Sequence, residues 1–211
     1  MSAPSPPDPA TFFGERLPAQ MNRTLAEQAE AAAAARRTLE GMQAVDATLR
    51  FDVRGPDGGT WFVNIEKGRC SASDTPAHEP FLAIEIEREH FEPLWREAGD
   101  NVLGFLGGVS GMGAPIKLTR NRVEQLAATR GSLLFELVGE GGFRLIAHLG
   151  AGPGAAAAGA PDTAIRVDTE AYRELRRGAL QPQDAFLAGK IQIEGDMQLA
   201  MQLALAVLSP D

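Results

Sequence analysis

The residues of this chain that could carry chemistry are few and far apart. None of the three histidines, His78, His90 and His148, lies at a metal-site spacing from a second histidine or a cysteine. Cys70 is the single cysteine, so neither an internal disulfide nor a thiolate metal cage can form. We therefore predict no catalytic residue, no metal site and no cofactor, and we expect that the protein is not an enzyme.

A glycine-rich stretch, GGVSGMG at residues 107–113, is the part of the sequence most similar to a catalytic or phosphate-binding loop. A nucleophile elbow needs a glycine two residues after the serine, but Met112 stands there. No Gly-Lys-Ser/Thr follows, and the dinucleotide pattern Gly-x-Gly-x-x-Gly is absent from the sequence. We interpret the stretch as a flexible loop, because glycines cluster in loops more often than in phosphate sites.

The composition limits the kinds of partner. The chain has 211 residues and a net charge of −8, so we expect neither nucleic acid nor an anionic membrane as a partner, since both require clustered lysine and arginine. No apolar run is long enough for a membrane span, and the N-terminus lacks the basic start and apolar core of a secretory signal. We therefore expect a cytoplasmic protein with no integral-membrane segment.

The chain is predicted to start with one helix and then to form strands. Residues 1–20 are rich in proline and serine, which predicts a loose arm. The alanine-rich segment 21–45 predicts a helix with Gly41 as its stop. Apolar and polar residues then alternate in LRFDVRG and TWFVNIEKG, which predicts a hairpin around the turn PDGG. A strand passes into a helix in FLAIEIEREHFEPLW, and IKL predicts another strand before the helix NRVEQLAATR.

The same order of patterns then occurs a second time. LLFELVG parallels LRFDVRG, and GGFRLIAHLG parallels GGTWFVNIEKG. TAIRVDTEAYREL parallels LAIEIEREHFEPL, with Tyr172 in the place of Phe91. We interpret the chain as a tandem duplication with units of roughly 80 residues. The predicted domains are an arm and helix at 1–44, a first unit at 45–131 and a second unit at 132–211.

The last predicted helix is apolar on nearly every side. Asp196 is a natural N-cap, and two glutamines supply the only polar stripe over residues 197–208. A helix of this kind must be covered by protein, by a partner or by an apolar ligand. Two interpretations stay open. The helix is buried in a core or an interface, or it is a lid over an apolar cavity, for which the adaptable side chains of Met197 and Met201 are suited.

The segment YRELRRGALQPQDAFLAGKIQIEGDMQLAMQLALAVL resembles the C-terminal half of the sterol carrier protein type 2 family. The shared pattern is a helix that ends near a glycine, Pro-x-x-Ala-Phe, Gly-Lys before a strand, Gly-Asp, and an apolar last helix. The hairpin FDVRGPDGGTWFVNIEKG is similar to the opening hairpin of the family. The resemblance covers residues 45–208, although the first copy has GGVSGMG where the family has Gly-Lys.

The resemblance implies an α/β (α+β) sandwich, in which helices cover one face of a mostly antiparallel, five-stranded sheet. It also implies an apolar cavity between sheet and helices for a fatty acid, an acyl-CoA or a sterol-like lipid, closed by the C-terminal helix. We choose the residues that would line this cavity by alternation along the strands and by i, i+4 spacing along the helices. The expected ligand-binding residues are Phe135, Leu145, Tyr172, Leu175, Phe186, Ile191, Ile193, Met197, Met201 and Leu205.

Two functions are compatible with these patterns. The first is noncatalytic binding and carriage of an apolar small molecule. The alternative is a pseudo-dimeric interaction or accessory module that supports a partner enzyme or presents substrate to it. In the second case the N-terminal and C-terminal helices would bury each other, or the same surfaces of a second chain in a homodimer.

Overall fold

The computed structural model describes residues 7–103, 116–150 and 160–208. The chain divides into two compact units, an N-terminal unit at Met1–Glu40 and a main unit at Gly41–Asp211. The glycine-rich stretch at 107–113 lies outside the described residues, so its interpretation as a loop stays a prediction. The predicted domain boundaries at 44/45 and 131/132 also stay predictions.

The N-terminal unit is helical. It consists of α1 (Pro9–Thr11), a π-helical turn (Phe12–Arg16) and the start of α2 (Leu17–Gln43). The predicted loose arm is therefore wrong for residues 9–20. The helix starts there because the Asp8 carboxylate accepts the backbone N–H of Thr11 at 3.0 Å, while proline occupies the first helical position. The predicted alanine-rich helix is formed and continues past Gly41, and none of the described residues from 7 to 40 is buried.

The main unit is built on one sheet. Its strands in the described residues are β1 (Asp46–Arg54), β2 (Gly59–Glu66), β3 (Arg69–Ser73), β4 (Pro80–Glu87), β5 (Gly131–Val138), β6 (Arg144–Leu149), β7 (Thr163–Asp168) and β8 (Ile191–Gly195). They are arranged in the order β3-β2-β1-β4-β6-β5-β7-β8. The pairs β1–β4 and β5–β7 are parallel, and the other neighbouring pairs are antiparallel. The mixed α/β fold class and the mostly antiparallel sheet are confirmed, with eight strands in place of the five implied.

Five helices of the main unit are described, and all five contact the sheet. They are α3 (Arg88–Ala98), α4 (Arg120–Ala128), α5 (Thr169–Arg176), α6 (Pro182–Leu187) and α7 (Met197–Leu208). Helices α3 and α4 contact β4, α5 contacts β5 and β7, and α6 contacts β8. Helix α7 contacts β7, β8 and α4. One cluster of buried apolar residues runs between this helical layer and the sheet.

Alternation along the strands separates an apolar face of the sheet from a charged face. On β5, Leu133, Phe135 and Leu137 are buried towards the helices. The other face carries ion pairs between strands, among them Arg54 with Glu85, whose Nη2 and Oε2 atoms are 2.6 Å apart. The sheet therefore needs helices on one side only.

Two parts of the main unit repeat the same arrangement. We call residues 45–131 the first half and residues 132–211 the second half. In the first half β1 pairs antiparallel with β2 and parallel with β4, and β4 leads into α3. In the second half β5 pairs antiparallel with β6 and parallel with β7, and β7 leads into α5. This repeat supports the predicted duplication in part, since β4 and β6 join both halves into one sheet.

The predicted strand at residues 116–118 is wrong, because this segment has no regular secondary structure. Its counterpart in the second half is β8, which pairs with β7. In the first half the equivalent edge of β4 is already occupied by β6. A strand at 116–118 would therefore have no free backbone groups of β4 with which to pair.

Helix α7 presents two different apolar faces. Leu199, Ala200 and Leu203 are buried against the rest of the main unit. Met201 and Leu205, in contrast, have exposed fractions of 60% and 63%. The Asp196 carboxylate accepts the backbone N–H groups of the first turn at 2.9 and 3.1 Å, as predicted for an N-cap.

Candidate functional site

An apolar cavity lies between the sheet and α3 in the first half. Its volume is about 440 Å³, which is within the range of pockets for small molecules. Its apolar lining comes from strands β1, β2 and β4, from α3 and from the residues that follow this helix. The apolar residues that line it are Phe51, Val53, Trp61, Ile84, Ile86, Phe91, Leu94 and Val102.

Strand pairing places the aromatic and branched side chains of this cavity on one face. Phe51 lies opposite Trp61 on β2 and opposite Ile84 on β4, so the three side chains point to the same side of the sheet. Helix α3 supplies Phe91 and Leu94, which are three residues apart and so share one helix face. Leu94 is buried, but Trp61 and Phe91 have exposed fractions of 44% and 43%. The two partly exposed rings therefore lie where the cavity opens to solvent.

Three charged residues also line the cavity, namely Asp52, Asp57 and Arg88. Asp52 is bonded on the charged face of the sheet, where its carboxylate lies 2.9 Å from Nε of Arg50 and accepts the Thr60 hydroxyl at 2.6 Å. Asp57 is in the β1–β2 turn, with a φ angle of 56°. Arg88 is the first residue of α3, and its guanidinium carbon lies 5.8 Å from the centre of the Phe91 ring.

The same position in the second half is filled by side chains. Phe135 lies opposite Leu145 and Ile165, as Phe51 lies opposite Trp61 and Ile84. Phe135 and Leu145 are buried, and the ring of Phe135 packs 6.3 Å from that of Phe143. Burial also raises the pKa of Tyr172, the counterpart of Phe91, to about 12. The second half therefore has a packed core where the first half has a cavity.

The predicted site residues fall into two groups in the structure. Phe135, Leu145, Tyr172 and Ile191 are buried in the core of the second half, with Leu175 and Ile193 partly buried against it. Phe186, Met197, Met201 and Leu205 are exposed. None of the ten predicted residues lines the cavity of the first half. Their role in ligand binding stays a prediction.

The residues that line the cavity were not predicted from the sequence, although the internal repeat indicates several of their positions. The internal repeat places Phe51 with Phe135 and Phe91 with Tyr172. The strand register adds Trp61 as the counterpart of Leu145. Four of the ten predicted residues, Phe135, Leu145, Tyr172 and Leu175, thus stand at positions equivalent to cavity-lining residues, but in the half that resembles the sterol carrier family more specifically.

A contact between the halves holds the helix that forms one wall of the cavity. Nη2 of Arg173 in α5 lies 2.5 Å from Oε1 of Glu97 near the end of α3. Arg176 also donates to the backbone carbonyl of Glu97. The Arg173 guanidinium donates hydrogen bonds to the carboxylates of Glu97 and Glu170, which raise its pKa, so this group stays charged. The second half therefore supports α3 from its C-terminal end.

A second cavity, of about 490 Å³, is lined by Val138, Arg166, Val167, Asp168, Gly189, Lys190 and Gln192. The two cationic side chains that line this cavity already form ion pairs with glutamates. Arg166 lies 2.9 Å from Glu136 and 2.6 Å from Glu194, and Lys190 lies 3.4 Å from Glu174. This lining offers few apolar surfaces, so the cavity of the first half is the better candidate for an apolar ligand.

Among the described residues, no three His, Cys, Asp or Glu side chains are close enough together to hold a metal ion. Nε2 of His148 is buried 3.6 Å from Oε2 of Glu85 and forms no hydrogen bond with a described residue. In the described parts of the chain no helix is both long and apolar enough to cross a bilayer.

Part of the chain matches a known protein family. Residues 116–207 match the model of the SCP-2 sterol transfer family. The predicted resemblance to the sterol carrier protein type 2 family is confirmed for this segment, which contains α4, the second-half sheet and α7. The cavity of the first half lies outside it. A search of curated proteins found no significant match.

Several solved structures are similar to part of the chain. Sterol Carrier Protein 2 Like 2 from Aedes aegypti is 20% identical and covers 52% of this chain and 95% of its own, with a TM-score of 0.31. Sterol carrier protein domain 2 of Helicoverpa armigera is 24% identical and covers 55% and 85%, with a TM-score of 0.32. The apo form of Sterol Carrier Protein 2 from Yarrowia lipolytica is 16% identical and covers 43% and 78%, with a TM-score of 0.30.

Proposed function

We propose that this protein binds and carries an apolar small molecule without catalysing its conversion, and that the cavity between β1, β2, β4 and α3 is the binding site. The observation that supports this best is the cavity itself, of about 440 Å³ with a mostly apolar lining. Each CH₂ group that moves from water into such a space contributes about 0.8 kcal/mol. A ligand therefore gains affinity here without a catalytic group or a metal.

The match of residues 116–207 to the SCP-2 sterol transfer family supports a lipid as the ligand. A fatty acid, an acyl-CoA and a sterol-like molecule all have the apolar surface that the cavity requires. The matched segment has a structural role in this proposal, because Arg173 in α5 holds Glu97 on the wall helix. A cytoplasmic location, with no nucleic acid as partner, stays a prediction.

The first test is native mass spectrometry of the purified full chain, followed by organic extraction and identification of the lipid. We expect a bound apolar molecule, or uptake of one when fatty acids, acyl-CoA and sterols are added. A mass that corresponds to the empty protein under all these conditions would contradict the proposal.

The second test places the ligand in the cavity. The chain has two tryptophans, and Trp61 lines the cavity whereas Trp95 does not. A fatty acid with a nitroxide on its chain should quench the fluorescence of Trp61 at short range. We expect the Trp95→Phe variant to keep the quenching and the Trp61→Phe variant to lose most of it. The reverse pattern would place the ligand elsewhere.

An interaction surface is a second candidate function. Met197, Met201 and Leu205 lie four residues apart along α7 and are all exposed. Such a stripe is typical of a surface that contacts another protein. Light scattering after size exclusion tests whether this surface forms a homodimer. The full chain is compared with its Met201→Gln variant. A dimer that becomes a monomer in the variant would support a homodimer, and a monomer in both would exclude one.

A further inference from the structure

Two opposite charges face the cavity of the first half without pairing with each other. Asp57 and Arg88 both line it, and neither forms an ion pair with any residue that the structure describes. The third charged residue, Asp52, is already bonded to Arg50 and Thr60. One carboxylate and one guanidinium are thus available to the polar end of a bound molecule.

An aromatic residue of the cavity lining follows each of the two charged residues closely in the sequence. Trp61 lines the cavity with Asp57, and its ring lies over Gly59, two residues after Asp57, where an added Cβ atom would be only 3.1 Å from Cη2. The guanidinium of Arg88 lies over the Phe91 ring at 5.8 Å. An anion beside an indole ring is suited to a quaternary ammonium group, which is attracted to both. A guanidinium is suited to a phosphate, because its donors match the phosphate oxygens.

We propose that the ligand of this cavity is a zwitterionic amphiphile with a phosphocholine-type head group. The quaternary ammonium lies between Asp57 and Trp61, the phosphate contacts Arg88, and one acyl or alkyl chain lies among Phe51, Phe91 and Leu94. This inference rests on the proposed function, because it names the class of molecule that the same cavity takes.

The other head groups satisfy only part of this arrangement. An anionic carboxylate pairs with Arg88 but is repelled by Asp57, and a cationic amine has the opposite mismatch. A neutral head group leaves both charges without a partner from the ligand. Asp57 and Arg88 are exposed, so solvent screens each contact and the expected preference is several-fold rather than orders of magnitude.

The experiment compares four ligands that share a twelve-carbon chain, each below its micelle concentration. They are dodecylphosphocholine, laurate, dodecyltrimethylammonium and monolaurin, titrated against the full chain by calorimetry. We expect dodecylphosphocholine to bind about three- to tenfold more tightly than the other three. Equal affinities within about twofold, or tighter binding of any other probe, would overturn the inference.

Two variants assign the charges. Asp57→Asn should remove the preference of the protein for dodecylphosphocholine over laurate, and Arg88→Gln should remove its preference over dodecyltrimethylammonium. Monolaurin binding should stay the same in both variants and so reports an intact cavity. Binding of all four probes with no effect of either variant would overturn this inference and leave the proposed function standing. No binding of any probe would contradict the proposed function itself.

Discussion

Gly59 and Phe143 occupy equivalent positions in the two halves of the sheet. Gly59 lies opposite Val53, and the carbonyl of Phe143 accepts the N–H of Leu137 at 2.8 Å. Phe143 is 2% exposed and fills the space beside Phe135, whereas Gly59 contributes no side chain to the space beside Phe51. The side chain of Phe143 thus helps to pack the second half, and the equivalent position of the first half has no side chain to do the same.

The Gly59→Phe variant should fill or cover the cavity. Gly59 has an ordinary backbone conformation, and the nearest atoms to an added Cβ belong to the Trp61 ring, which can move. We expect the affinity for apolar ligands to fall by about tenfold or more, as measured by quenching of tryptophan fluorescence. Gly59→Ala is the matched control, because one methyl group leaves most of the space open. Unchanged affinity in the phenylalanine variant would mean that ligands bind elsewhere.

The Phe143→Ala variant should destabilise the protein by about 3–5 kcal/mol, since it removes a fully buried ring from a packed core. Phe51→Ala is the comparison, and it should cost less, because Phe51 is only partly buried on the wall of an existing cavity. Denaturation by urea, followed by circular dichroism, gives both free energies of unfolding. Equal losses would contradict the distinction between a filled half and an open half.

The two faces of α7 should respond differently to truncation. Leu203 is 1% exposed and Leu205 is 63% exposed, so Leu203→Ala should cost about 2–5 kcal/mol and Leu205→Ala well under 1 kcal/mol. The same denaturation experiment measures both. A Leu205→Gln variant that stays folded but binds apolar ligands more weakly would support the sequence prediction that this helix is a lid.

The stability of the second half should depend on pH through Asp162. The Ser132 hydroxyl at 2.8 Å and its backbone N–H at 2.7 Å both donate to this carboxylate, and they lower the pKa of Asp162 below its usual 3.8. Because the folded pKa is the lower one, the carboxylate contributes its stability fully above pH 3.8. That contribution is lost as the pH falls through the folded pKa.

The Asp162→Asn variant tests this dependence. It should be less stable than the native protein at pH 7, and the difference should shrink as the pH falls below about 4. Free energies of unfolding from urea titrations between pH 3 and pH 7 show whether it does. Ser132→Ala removes the same hydroxyl donor and should reproduce most of the change. A difference that is constant across this pH range would mean that another group is responsible.

Much of the fold could be predicted from the sequence, because the signals are local. Alternation in LRFDVRG and LLFELVG predicted strands that the structure contains, and the same applies to the helices that begin near Arg88 and Thr169. The strand Arg69–Ser73 was missed, because its short polar sequence lacks the apolar alternation that marks a strand. The resemblance to the sterol carrier family was confirmed for 116–207, where its motifs are most specific.

The sequence by itself determined most of the helices and strands of the main unit, the repeated pattern and the apolar character of the last helix, but it missed β3 and wrongly predicted a strand at residues 116–118. Only the tertiary structure decided which half is open, because this depends on residues that meet across strands, as Gly59 meets Val53 and Phe143 meets Leu137. The tertiary structure also decided which side of α7 is buried, because a helix that is apolar on nearly every side carries little polar contrast to orient it. Periodicity shows which side chains share a face, but packing between distant segments decides what that face contacts.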